Sequence, residues 1–94
     1  MTVAFRHETV APEIHLCTYG EPCPSSFELF VYRFEPGVPV ETQVMVRADN
    51  EPKTVWRARV LRQAKVLQDR YPVPRGKSVV VIKGAAHMPV EWRH

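Results

Sequence analysis

Two sets of residues in this 94-residue chain are of types that could do chemistry, and one short motif resembles a ligand loop. The first set is His15 and Cys17, with Cys23 six residues on and His7 and His87 further away. A structural zinc site needs four ligands, usually as two close pairs. Here a single C-x5-C has no second pair, so spacing argues against metal. A disulfide across the turn at 20–26 does not suit a cytoplasmic chain, and the two cysteines read as small, mostly buried thiols. General acid–base work would need a histidine beside a cation or a second histidine, and no spacing places one there. A Cys17–His nucleophilic pair has the same weakness. The sequence therefore assigns no catalytic residue, no metal ligand and no cofactor.

Gly76-Lys77-Ser78 ends like a phosphate-binding loop, but Tyr71 stands where that loop needs its first glycine. The segment also follows a helix and opens a strand, the reverse of the required order. It is rejected as a nucleotide site.

The second set is the basic helix expected over 52–71. Residues 51–71 hold six basic side chains against two acidic ones, a net of +4, while the whole chain carries +3. The first fifty residues sum to −4 and the remainder to +7. Arg59, Arg62, Lys65 and Arg70, with Arg75 and Lys77 just beyond, are the expected partner-binding residues. A solvated helix face that keeps the chain soluble uses the same residues, since Lys and Arg are ordinary surface helix formers. If the face binds, two partners fit. Several cations on one track neutralise phosphates, but Trp56 and Tyr71 sit on the apolar stripe, leaving no aromatic to stack on bases. An acidic protein surface would be met equally well by the same cations.

The elements that position these residues follow from pattern. Asp49 and Asn50 are cap-type residues, Glu51 suits the positive end of the dipole, and Pro52 suits a first turn. Trp56, Val60, Ala64, Leu67 and Tyr71 share one helical stripe with Leu61 beside it, and Pro72 ends the helix. Strands are expected at 13–19, 27–34, 40–48 and 78–83, with 2–6 either a short edge strand or a loose terminus. In 27–34 both faces are apolar: Phe27, Leu29 and Val31 on one, Phe30, Tyr32 and Phe34 on the other. Short links predict an antiparallel meander, with the last strand returning into the sheet after the helix.

The fold class is thus α+β. A mainly antiparallel sheet of four to five strands, in the order β-β-β-α-β, carries one long amphipathic helix on one face. The chain reads as a single domain over 1–94, with 84–94 a C-terminal tail. The other sheet face lacks a helix and would need the tail, a curled sheet or a second subunit to cover it, which makes a homodimer one expectation among three. The longest apolar run, 79–82, is far below a membrane span, and no basic-then-apolar start marks a signal peptide. A cytoplasmic location follows as the default. The functional expectation is a small non-catalytic binding or regulatory protein that docks on a macromolecule, a protein before a nucleic acid. A nucleic-acid binder is second, and a small enzyme using a histidine acid or base third.

Overall fold

The computed structural model describes residues 5–19, 24–33 and 37–84. They form five strands and one helix: β1 (Phe5–Ala11), β2 (Ile14–Tyr19), β3 (Ser26–Tyr32), β4 (Glu41–Val46), α1 (Lys53–Arg70) and β5 (Val79–Gly84). The sheet runs β1-β2-β5-β3-β4. It consists of two antiparallel hairpins, β1–β2 and β3–β4, joined by the last strand. β5 lies parallel to β2 and antiparallel to β3.

This arrangement corrects the expected meander. β2 and β3 follow one another in sequence yet are not neighbours, because β5 inserts between them. The reason lies in composition. Val79-Val80-Val81-Ile82 is apolar on both faces, and a strand of that kind loses most by lying at an edge. The helix carries the chain from the β4 edge back across the sheet, so β5 can enter the centre. The expected first strand also moves, from 2–6 to Phe5–Ala11. Its extent is set by pairing with β2 across the turn at Pro12 and Glu13, where Glu13 takes φ 62°. Such a left-handed residue is a feature of tight turns rather than of strands.

Helix α1 lies over β3 and β5. At 1.5 Å per residue its 18 residues span about 27 Å. Trp56, Val60, Ala64 and Leu67 are buried against Phe27, Leu29, Val31, Val80 and Ile82, and Ile14, Leu16 and Met45 complete one hydrophobic cluster. The expected stripe is therefore the buried one, except that Tyr71 is only half-buried and Gln68 joins the interior.

The start of the helix is not capped as expected. Pro52 is the N-cap residue, and no side chain caps it. Asn50 instead takes φ 63° in the preceding turn, where a short polar residue tolerates the left-handed region. Glu51 ties that turn together: its carboxylate accepts the Ala48 N–H at 2.9 Å.

Two buried polar clasps close the core. The Trp56 indole N–H donates to the Pro24 carbonyl at 2.9 Å. Pro24 in turn packs over Gly84, where a Cβ would lie 2.8 Å from the proline Cγ. At the other end, the Gln68 amide donates to the carbonyls of Pro12 at 3.0 Å and Ser78 at 2.9 Å. The Ser78 hydroxyl donates to the Gln68 carbonyl at 3.1 Å. Ser78 is thus spent on closing the helix end against β5. Among the described residues no helix is long and apolar enough to cross a membrane.

Candidate functional site

The six cations singled out from the sequence divide into three pairs. Arg59 and Arg70 are held by carboxylates. Arg59 donates to Glu51 through Nε at 3.1 Å and Nη2 at 2.9 Å, and to the Val46 carbonyl at 2.9 Å. Its guanidinium lies 4.9 Å from the centre of the Trp56 ring. Hydrogen bonds from Arg59 and then from the Ala48 N–H hold the Glu51 carboxyl below its usual range, and the same contact raises Arg59. Arg59 therefore latches the β4–α1 turn to the helix and is no free solvent-facing cation.

Arg70 reaches Glu41 at 3.0 and 3.1 Å, and the Tyr71 hydroxyl donates to the same carboxylate at 2.7 Å. The Tyr71 bond first, and Arg70 after it, lower the Glu41 pKa; the same bond raises that of Tyr71. Arg70 thus pins the helix end to the start of β4.

Arg62 and Lys65 are exposed on the opposite flank of the helix and make no ion pair with a described residue. Arg75 and Lys77 stand apart from them, in the connector after α1, around an open hollow shared with Glu13 and Arg33. A continuous phosphate track along the helix is therefore interrupted. Arg57, basic but not among the six, is also neutralised, by Glu8 of β1 at 2.8 Å.

Beside Arg62 and Lys65 the structure supplies a feature absent from the sequence reading. Because α1 lies over β3 and β5, the inner face of the β1–β2 hairpin is only partly covered. An apolar groove opens between the hairpin and the helix. One part, of about 420 Å³, is lined by Val10, Ala11, Ile14, Ala58 and Leu61, with Arg62 and Lys65 at its rim. The adjoining part, of about 140 Å³, has Leu16, Phe27, Val60 and Leu61 on its walls and Lys53 and Arg57 at its mouth. Leu61 belongs to both and separates them. The sequence signals were weak: Leu61 sits beside the buried stripe, and Val10 is a lone apolar residue before a turn. Only the placing of β1 beside β2 brings Val10 opposite Leu61.

The far face of the sheet gathers the chemical residues of the first set. His7 and His15 stack with ring centres 5.1 Å apart, and His7 Nε2 lies 3.0 Å from His15 Nδ1. The hairpin brings together two imidazoles that linear spacing keeps apart. Cys17 is opposite His7 in the ladder and Lys83 is next to Cys17 on β5. Burial raises the Cys17 thiol and Lys83 partly opposes that. No hydrogen bond joins it to either imidazole; the two rings bond to each other. Among the described residues no group of three or more His, Cys, Asp or Glu side chains is placed to hold a metal ion. Cys23 and His87 lie outside the described residues.

The β4 strand is outermost in the sheet, where a further strand could add, and exposes Val44 and Val46. Arg59 occupies the Val46 carbonyl and so blocks one of its ladder positions. No protein-family model, curated protein or solved structure matches this chain.

Proposed function

We propose that this protein is a small non-catalytic binding or regulatory protein that docks on another protein, taking an acidic, apolar-faced segment into the groove between α1 and the β1–β2 hairpin. The observation that carries this reading is the groove itself. Its floor is apolar, and Lys53, Arg62 and Lys65 at its edge have no carboxylate partner among the described residues. An amphipathic segment placed there would bury its apolar side on Leu61 and Ile14 and set its carboxylates against those cations. Two points favour a protein over a nucleic acid. Arg57, Arg59 and Arg70 are already neutralised by Glu8, Glu51 and Glu41. Trp56 is fully buried and cannot stack on a base. A cytoplasmic regulator, inhibitor or adaptor is the role that suits such a surface. A homodimer would use a different one, the sheet face opposite α1.

The test is selection of a random peptide library on the immobilised full-length chain. Enriched peptides are expected to combine carboxylates with apolar residues, and to perturb the amide signals of Leu61, Ala11 and Arg62 in NMR spectra. The double variant Arg62→Glu/Lys65→Glu is expected to keep the wild-type circular dichroism and to weaken these peptides about tenfold or more. Binders that are neutral or basic, or that ignore the double variant, overturn the groove. Salt-sensitive capture of mixed-sequence DNA or RNA in place of peptides moves the function to nucleic acid.

A further inference from the structure

We propose that a second copy of this chain packs on the sheet face opposite α1, about a two-fold axis that runs along the strands between β5 and β3. The surface lies on the opposite side of the sheet from the groove, so this inference stands apart from the docking reading. Three outward residues of β5, Val79, Val81 and Lys83, pair in the ladder with three of β3, Tyr32, Phe30 and Glu28. All six are half-buried, and no described element covers them.

These six residues show why a copy fits. A two-fold axis lying in the interface between these strands sets each residue of β5 over its own ladder partner in the other copy. Val79 then meets the partner's Tyr32, Val81 meets the partner's Phe30, and Lys83 meets the partner's Glu28. Each contact sets small against large or plus against minus. The match is doubled, because every contact occurs twice. Within one molecule, Lys83 and Glu28 are adjacent but form no ion pair. Lys83 instead lies over the Phe30 ring, 5.2 Å from its centre. Both charges therefore remain available to the partner. The same axis sets β4 over β2, so that Val44, 62% exposed, meets the partner's Cys17. β1 overhangs the edge, which leaves the His7 end of the sheet wet. Two sheets stacked in this way lie with their strands within about 30° of one another, the usual geometry of aligned sheets.

The experiment is sedimentation equilibrium of the full chain at tens of micromolar, with circular dichroism of every variant. Wild type is expected at twice the 10.8 kDa chain mass. Lys83→Glu alone sets two carboxylates against each other across the axis, and Glu28→Lys alone sets two ammonium groups against each other. Each is expected to weaken association about tenfold or more. Mixing the two variants gives a heterodimer in which one of the two cross-axis contacts joins the two introduced side chains and the other joins the two native ones, both of opposite charge. The mixture is expected to regain the dimer mass, a result that stability within one chain cannot produce. A wild type that stays monomeric at about 100 µM overturns the proposal, since mass action favours the dimer there. So do variants that dimerise like wild type, and a mixture that stays monomeric. If a reversal unfolds the chain, an isotope-filtered NOE experiment on mixed labelled and unlabelled wild type decides. Contacts between Val79 methyls and the partner's Tyr32 ring are expected, and their absence refutes this packing.

Discussion

Trp56 carries both the largest buried side chain and one of the two clasps that hold the helix to the chain, so replacing it separates packing from hydrogen bonding. Trp56→Ala removes a fully buried indole that packs 5.6 Å from the Phe27 ring, centre to centre. Large-to-small changes of this kind cost about 3–5 kcal/mol. Trp56→Phe keeps most of the ring but deletes the N–H, so the buried Pro24 carbonyl loses its donor. That loss is worth about 1–3 kcal/mol. A domain of this length has about 5–14 kcal/mol in all, so the alanine variant gives up a large share and the phenylalanine variant a smaller, measurable one.

The assay is urea unfolding followed by far-ultraviolet circular dichroism, which reads the helix directly and is not confounded by Trp92. With a urea slope of about 1–1.5 kcal/mol per molar, the midpoint should fall by about 0.7–3 M for phenylalanine and about 2–5 M for alanine. An alanine variant within about 1 kcal/mol of wild type, or about 0.7–1 M in midpoint, would refute the packing of α1 described here. A phenylalanine variant within about 0.5 kcal/mol would show that the bond to Pro24 contributes nothing net.

The other clasp makes a parallel prediction. Gln68→Leu keeps the volume but strips donors from the carbonyls of Pro12 and Ser78, so a loss of about 2–4 kcal/mol is expected in the same urea assay, and a neutral result would refute the clasp. The pH dependence follows from Glu41 and Glu51, whose pKa values are lowered from the ordinary 4.5. A carboxyl depressed in the folded state adds stability that is complete above its unfolded pKa and is lost as pH falls through the folded one. The midpoint should therefore drop once pH falls below about 4.5, and Glu41→Gln should flatten that acid limb while leaving Glu51's share. An unchanged limb would show that Glu41 is not held by Tyr71 and Arg70. Carbon-13 titration of the side-chain carboxyls checks the direction for each residue separately.

The facing of the elements was legible from the chain because it depends on local periodicity. Trp56, Val60, Ala64 and Leu67 recur at helical spacing, and Phe27, Leu29 and Val31 alternate with Phe30 and Tyr32. Both patterns survive folding, since each element buries whichever side is apolar. The α+β class and the packing of the helix on one sheet face follow from the same patterns. Gln68 escaped notice because a polar residue on a buried stripe declares itself only when its partners, carbonyls 10 and 56 residues away, are in place.

What tertiary structure decided is everything that depends on which strands become neighbours. Composition marked β5 as a strand buried on both faces, but not that it would part β2 from β3. That insertion sets Lys83 beside both Cys17 and Glu28. The number of cations was likewise plain in the sequence, and their availability was not. Arg59 and Arg70 resemble Arg62 and Lys65 in charge and in lying on the same helix, but the fold brings Glu51 and Glu41 to the first two alone. A charge is free or spent according to what lies within about 4 Å of it, and in a chain of this kind those neighbours come mostly from distant segments.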